Sequence, residues 1–363
     1  MVSNKALIFK KVPTGLPVAG EHLTVEDQGF DLEAAPPAGG VTLSILQASF
    51  DPYQRGRMRD PKVKSYAPPY ELGKPISNAT IAKVLKSDSP DYKEGELVYA
   101  SVPISEYVAL DKDSLKAIQY KIQNPHNLKD LGLFLGPLGM PGLTAYSSLY
   151  EIGKPKKGET IFISSAAGAV GQVVGAVAKH EGLRVIGSVG SDEKLKFITE
   201  ELGFDAGFNY KKESAKDALE RLAPEGIDIY YENVGGEQLE AAIEKLNNWG
   251  RIVACGMISG YNSPAEDRYP IKNLFYVVSK RLHIEGFIVS DERFGPKYFK
   301  QHQENVQKWL AEGTFKAKIH HVDGIDKAAE GLIGIYEGKN FGKAVLKIKD
   351  ETCGEMPRWS SNL

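Results

Sequence analysis

The run Ala166-Ala167-Gly168-Ala169-Val170-Gly171, with Gly175 one turn further on, is the segment of this chain best suited to hold a phosphate. It follows a short apolar stretch that reads as a strand and opens one that reads as a helix, the setting a dinucleotide fingerprint requires. Gly168 lets the backbone close on a pyrophosphate. Gly171 lets the helix press on the strand, and the helix N-terminus offers free N–H groups to the anion. Ala166 stands where the first glycine of the fingerprint usually falls. An NAD-selective site places Asp or Glu at the end of the second strand, about 20 residues on. Here that strand, 184–189, ends in Gly190-Ser191, and Asp192 and Glu193 come late, as ordinary charges at a helix start. Lys194 follows at once, and Tyr210 ends the third strand. A cation so placed meets a 2′-phosphate, so NADPH (NADP+) is the expected cofactor.

Metal chemistry finds no such set of residues. The two cysteines, Cys255 and Cys353, exclude a disulfide framework and a zinc site of three or four cysteines, although one bridge between them stays open. His320 and His321 are adjacent on an expected strand and point to opposite faces, and no His-x-x-x-His pair exists. No metal is expected. Tyr276 and Lys280 stand four apart on an expected helix, as the proton donor and orienter of short-chain dehydrogenases do. In that group the nucleotide fold begins near the N-terminus, whereas here about 150 residues precede it, so Tyr276 is assigned to the core. Tyr70–Lys74 and Tyr150–Lys154 also precede the nucleotide motif.

The elements that must position these residues alternate from residue 159 onward. Strands are expected at 160–164, 184–189, 207–210, 227–231 and 250–255, with helices at 170–180, 192–202, 214–222 and 236–246. This rhythm builds a doubly wound parallel sheet covered on both faces, a Rossmann fold in the α/β class. A helix at 273–280 and a strand at 283–289 extend it. The first 130 or so residues read instead as short strands, such as 41–46 and 79–85, broken by Pro52, Pro61, Pro68, Pro69, Pro75 and Pro90. That is a β-rich domain, read as a partly open barrel. After about residue 293 comes a long amphipathic helix with Tyr298, Phe299, Val306, Trp309 and Leu310 on its apolar face. A strand at 316–321, a helix at 327–336 and a strand at 344–348 return to the β-rich domain. The expected division is 1–137 and 306–350 for that domain, 138–305 for the nucleotide-binding domain, and 351–363 as a tail.

A chain of 363 residues suits two such domains. Lys+Arg 45 against Asp+Glu 47 gives a net charge of −2, which points away from nucleic acid and from acidic membranes. No run of about 18 apolar residues could cross a bilayer, and the start lacks a signal-peptide pattern, so a cytoplasmic address is expected. Asn78-Ala79-Thr80 spells a glycosylation acceptor, read here as chance, and Ser361-Asn362-Leu363 has Asn where a peroxisomal tripeptide needs Lys.

Taken together, the motifs resemble the zinc-free medium-chain dehydrogenase/reductases, in the branch of prostaglandin reductases and plant alkenal double-bond reductases. Asp51-Pro52-Tyr53-Gln54-Arg55-Gly56-Arg57-Met58 is similar to that branch's signature, with Gln54 where Met is common. Gly139-Met140-Pro141-Gly142-Leu143-Thr144-Ala145-Tyr146 resembles its domain junction. Residues 166–171 resemble its phosphate loop, and Ser191-Asp192-Glu193-Lys194 with Phe208-Asn209-Tyr210-Lys211 its 2′-phosphate site. Tyr231-Glu232-Asn233-Val234-Gly235-Gly236 matches an Asp-Asn-Val-Gly-Gly segment with Glu for Asp. Cys255-Gly256-Met257-Ile258-Ser259-Gly260-Tyr261-Asn262 is similar to its nicotinamide-side loop, with Gly260 a departure. Glu285-Gly286-Phe287-Ile288-Val289 and Gly338-Lys339-Asn340-Phe341-Gly342-Lys343 complete a match over about residues 40–348.

The resemblance implies a GroES-like barrel beside the Rossmann domain and NADPH-dependent reduction of a carbon–carbon double bond conjugated to an aldehyde or ketone. Hydride goes to the β-carbon, and charge builds on the carbonyl oxygen, where stabilisation lowers the barrier. Tyr261 is expected to serve that oxygen and Tyr53 to line the opposite wall. Expected at the cofactor are Met140, Pro141, Thr144, Ala167, Gly168, Ala169, Val170, Gly171, Gly190, Ser191, Lys194, Tyr210, Asn233, Cys255, Gly256, Ile258, Ser259, Phe287, Val289 and Asn340. The variable stretch 61–75 would border the substrate entrance. A homodimer through the edge strand near 283–289 is implied as well. The alternatives are an NADPH quinone oxidoreductase, and a noncatalytic NADPH- or RNA-binding protein, to which the net charge lends nothing.

Overall fold

The structure is a computed structural model in which residues 1–349 are described; the expected tail, Cys353 and the C-terminal tripeptide lie outside them. The chain opens with the hairpin β1 (Lys5–Phe9) and β2 (Leu23–Asp27), then β3 (Val41–Ser49) and the short helix α1 (Gln54–Arg57). β4 (Ser77–Ser87), β5 (Leu97–Pro103), β6 (Tyr107–Leu110) and β7 (Ile118–Lys121) follow. β3 is buried along its whole length and is apolar at alternate positions, as the central strand of a curved sheet must be.

Helix α2 (Met140–Ser148) then leads into a repeating unit. β8 (Thr160–Ile163), α3 (Ala169–His180), β9 (Arg184–Val189), α4 (Asp192–Lys196) and β10 (Ala206–Asn209) form its first half. α5 (Ala215–Leu222), β11 (Ile227–Glu232), α6 (Gly236–Lys245), β12 (Leu246–Ala254), α7 (Phe275–Ser279) and β13 (His283–Gly286) form its second. All six strands run parallel in the order β10-β9-β8-β11-β12-β13. The order reverses between β8 and β11, and in such sheets ligands bind outside the carboxyl ends at that point. One face packs under α2, α3 and α8 (Gly295–Glu312), the other under α5 and α6.

After α8 the chain returns to the first sheet. β14 (Ile319–Asp323), α9 (Ala328–Tyr336) and β15 (Lys343–Lys347) follow, and β15 pairs antiparallel with β3. The β-rich sheet has the order β14-β15-β3-β4-β5-β7, with β6 also on β3. The α/β class, the doubly wound sheet and the β-rich partner are as expected from the sequence.

Two local expectations need correction. β13 ends at Gly286 rather than 289, because the chain turns there: Phe287 packs on Phe294 and Gly295 N donates to the Val289 carbonyl at 2.8 Å, which starts α8. Tyr276 is not core. It is 36% exposed on α7, a short helix at the open side of the sheet, with Lys280 Nζ 4.8 Å over its ring.

Candidate active site

The phosphate loop is shaped by one tight turn. Ser165 adopts φ +52°, and Ala166 N donates to the Ser188 carbonyl at 2.9 Å, which ties the loop to β9. A Cβ on Gly171 would come within 2.4 Å of the Ser165 carbonyl oxygen, so no other residue lets α3 start this close to the strand. Gly168 caps α3 with extended backbone, Ala167 is buried, and Ala169 and Val170 form the first turn. The free N–H groups of α3 therefore open onto the carboxyl edge of the sheet, the polarity a pyrophosphate needs.

The ends of β9 and β10 build a cationic pocket beside it. Ser191 Oγ accepts from Lys194 N at 3.2 Å and caps α4. Tyr210 is half exposed, with its hydroxyl against Gly190. Burial, and then Lys211, hold the Lys194 ammonium below the usual lysine range. Its Nζ donates to the Gly338 carbonyl at 2.9 Å. Asp192 is engaged elsewhere: it pairs with Lys212 and accepts from Asn209 Nδ2 at 2.9 Å. The acid nearest the position a ribose diol would need is thus turned to another task, and Lys194, whose ammonium has further donors beyond its bond to Gly338, suits a 2′-phosphate.

The ends of β8, β11 and β12 are stitched together. Asn233 N donates to Ser164 Oγ and Asn233 Nδ2 to the Ser164 carbonyl, both at 2.8 Å. Ile258 N donates to the Asn233 carbonyl at 3.2 Å, and Ser259 N to the Val234 carbonyl at 3.0 Å. Beneath them lies Glu232, fully buried, whose Oε1 accepts from Val234 N at 2.6 Å and Gly235 N at 2.8 Å. Burial pushes its carboxyl above the usual range. Cys255 and Gly256 continue from β12, both bonded to the Glu232 carbonyl at 3.0 Å. Burial pushes the Cys255 thiol up to about 12, so it is a neutral wall rather than a nucleophile. A cleft of about 460 Å³ opens along this edge, lined by Tyr210, Val234, Gly235, Met257 and Ser259 among others.

Tyr261 follows the turn Ile258–Gly260, with its hydroxyl 3.0 Å from where a Cβ on Gly256 would stand. Burial pushes its phenol up to about 12. Met140 and Pro141 open α2, and Thr144 lies one turn on, its Oγ1 donating to the Met140 carbonyl at 2.8 Å. Phe287 and Val289 lie just past β13. Asn340 Nδ2 donates to the Gly342 carbonyl at 2.7 Å, and Gly342 bridges Gly168, which brings the β-rich part onto the phosphate loop.

Tyr53 begins α1, and burial pushes its phenol up as well. It is joined to the Tyr261 loop through Arg55, whose Nε donates to Asn262 Oδ1 at 2.9 Å while Nη2 holds the Gly15 carbonyl at 2.8 Å. Arg55 and Ser164 escape a reading of the sequence, although each sits inside or beside a motif. So does Asn78, which is buried and bonded to Tyr53 rather than open to glycosylation. Tyr66, in the variable stretch 61–75, is exposed.

A parallel sheet with a phosphate loop at its switch point, a cationic pocket after β9 and a half-buried phenol on the far side define a dinucleotide-dependent oxidoreductase. Comparison with known proteins fixes the family. Residues 169–307 match the zinc-binding dehydrogenase family model, and residues 5–118 the N-terminal domain of oxidoreductase. The chain is 53% identical over 350 residues to NADP-dependent oxidoreductase RED1 of Cochliobolus heterostrophus, covering 96% of this chain and 99% of that protein. It is 39% identical to the NADP(+)-dependent 2-alkenal reductase of Nicotiana tabacum, covering 96% and 99%. The crystal structure of CurA from Vibrio vulnificus in complex with NADPH superposes with a TM-score of 0.86 at 34% identity, over 96% of this chain and all of that one. The chain belongs to the zinc-free medium-chain dehydrogenase/reductase family. Among the described residues no group of three or more His, Cys, Asp or Glu comes together to hold a metal ion, and no helix is long and apolar enough to cross a membrane.

Proposed function

We propose that this protein uses NADPH to reduce the carbon–carbon double bond of α,β-unsaturated aldehydes or ketones. The observation that carries the reading is the Tyr261 phenol, held by burial in its protonated form against Gly256 at the carboxyl edge of the sheet. Bound NADPH supplies the hydride to the β-carbon. The N-terminus of α3 and Lys194 hold the phosphates, the loop 255–259 walls the cleft, Tyr261 donates a hydrogen bond to the oxygen where charge develops, and a proton from solvent then completes the product at the α-carbon. A donor that strengthens its bond only as that charge forms acts on the barrier rather than on substrate binding. The likeness to a 2-alkenal reductase supports the same reading.

The active unit in this proposal is a homodimer. β13 is the edge strand of the parallel sheet, and beside it Leu274, Phe275, Val278 and Ile284 expose apolar side chains. An edge of this kind attracts a second strand, and a two-fold pairing would cover both faces. The deciding assay follows NADPH and NADH oxidation with a panel of enals, enones and quinones. Enal or enone turnover with NADPH at least about tenfold above quinone turnover is expected. Quinone turnover at or above the enone rate would replace this reading with a quinone reductase.

A further inference from the structure

A phenol carries one proton, and where it is donated decides what its oxygen can still do. Tyr53 Oη lies 2.6 Å from Oδ1 of Asn78. The far end of the Asn78 amide fixes its orientation. Nδ2 stands 2.7 Å from the Ser49 carbonyl, 3.0 Å from Asp51 Oδ2 and 3.0 Å from Gln54 Oε1. All three are acceptors, so the amide nitrogen belongs there; a flipped amide would set oxygen against three oxygens. Oδ1 therefore faces Tyr53 and accepts, and the phenol proton is committed to Asn78.

The array is buried and anchored by charge. Asn78, Asp51, Gln54 and Lys343 are each 3% exposed or less. Lys343 Nζ donates to Asp51 Oδ1 at 2.7 Å and to the Phe50 carbonyl at 2.8 Å. Ser49 Oγ donates to Asp51, and Asp51 N donates to Gln54 Oε1 at 2.8 Å. Gln54, where relatives commonly carry Met, thus holds two donors of the array at once. Turning one member would leave another buried and unpaired, so the arrangement resists change.

We propose that Asn78 is a positioning residue that fixes Tyr53 as a hydrogen-bond acceptor toward the cleft, so that Tyr53 selects substrates carrying a hydroxyl and leaves proton donation to Tyr261. The inference deepens the enone-reductase reading and rests on it. An acceptor repels a developing enolate, so the substrate carbonyl turns from Tyr53 toward Tyr261. A hydroxyl elsewhere on the substrate is then drawn to Tyr53.

The test uses a set of enals hydroxylated at successive carbons beyond the β-carbon, each against its deoxy counterpart of equal length. At one position the hydroxylated compound should have the lower KM. Tyr53→Phe should raise that KM about two- to tenfold, the range of one neutral hydrogen bond. The same variant should bring the KM values of the hydroxylated and deoxy members of the pair to within about twofold of each other. Asn78→Ala should abolish the preference although the phenol remains, and should change it no further in the Tyr53→Phe background, a non-additivity that a merely structural role does not give. If Asn78→Ala fails to fold, Tyr53→Phe alone decides. A fall of more than about tenfold in kcat on the deoxy enal in Tyr53→Phe would mark Tyr53 as the enolate donor and overturn the proposal. No preference at any position, or equal KM changes for both members of a pair, would overturn it too. A wild-type enzyme that reduces quinones but no enal defeats the enone reading instead; hydroxylated and unsubstituted quinones then carry the same comparison.

Discussion

Lys194→Ala removes the one cation that the first turn of α4 presents to the cleft side, and its effect can be worked out beforehand. Lys194 is half-buried; its backbone N–H donates to Ser191 Oγ, and its ammonium donates to the Gly338 carbonyl at 2.9 Å. A hydrogen bond to a charged group contributes about 1.5–3 kcal/mol, or roughly ten- to a hundredfold in binding. Lys211, close enough to lower the Lys194 pKa, supplies part of the same field. The loss should therefore fall in the lower half, about ten- to thirtyfold in the Kd of NADPH. NADH lacks the 2′-phosphate and should bind the variant within about twofold of wild type. Lys194→Arg keeps a donor suited to phosphate and should recover most of the affinity. Calorimetric titration of both cofactors into wild type and both variants reads this directly, and added salt should shrink the NADPH difference. An equal loss for NADPH and NADH would show that Lys194 shapes the fold of the cleft rather than reading the 2′-phosphate.

Tyr261→Phe should lower kcat about ten- to a hundredfold with the NADPH Kd unchanged. Because burial holds the phenol up to about 12, the donor form is lost only as pH rises through that value. The wild-type to variant ratio should thus stay flat between about pH 6 and about pH 10, and a ratio falling to one inside that window speaks against a phenol donor. Gly171→Val puts a branched side chain against the Ser165 carbonyl, so NADPH binding should weaken by more than about tenfold, with about 1–3 kcal/mol lost in stability; wild-type affinity would contradict the close approach. Phe275→Glu should turn a dimer into a monomer by light scattering, and an unchanged mass would place the contact elsewhere. Activity should survive prolonged chelation, since no described cluster could bind zinc; loss to chelator with recovery on added zinc would refute this.

The parallel sheet is legible in the sequence because each of its units repeats one local rule. Ile161, Phe162 and Ile163 make a strand buried on both faces, and the small residues of 169–178 make a helix that can lie on it. Such rules act over a few residues, so they survive without knowledge of the rest of the chain. Tyr276 shows where they fail. Its neighbours Phe275 and Val278 are apolar, which reads as core, but α7 lies at the sheet's open edge and turns them outward. Composition reports that a segment is apolar, not which side of the sheet it faces. Asn78 fails for another reason. Its partners Ser49, Asp51 and Tyr53 are 25 to 29 residues away, and Lys343 reaches the same array from the last strand. No spacing rule spans such distances.

The contacts that close the cleft share a pattern, and it explains why the motifs look unrelated in sequence. Gly168 in the phosphate loop bridges Gly342 beside the last strand. Gly342 can do so because it holds φ +82°, and a Cβ there would come within 2.1 Å of the Lys318 carbonyl. Lys194 after the second strand of the parallel sheet donates to Gly338 in the same returning segment. Arg55 in the first sheet's signature donates to Asn262, the neighbour of Tyr261. Each pair joins a residue of the parallel sheet's carboxyl edge to one of the β-rich part, and each half sits inside its own short motif. A residue such as Arg55 therefore carries no chemistry on its own sheet. Its guanidinium ties the segment that carries Tyr53 to the loop that carries Tyr261. A displacement of about 1 Å can cost a hundredfold in rate, so under the proposed function the residues that join the two sheets should matter as much as Tyr261 itself.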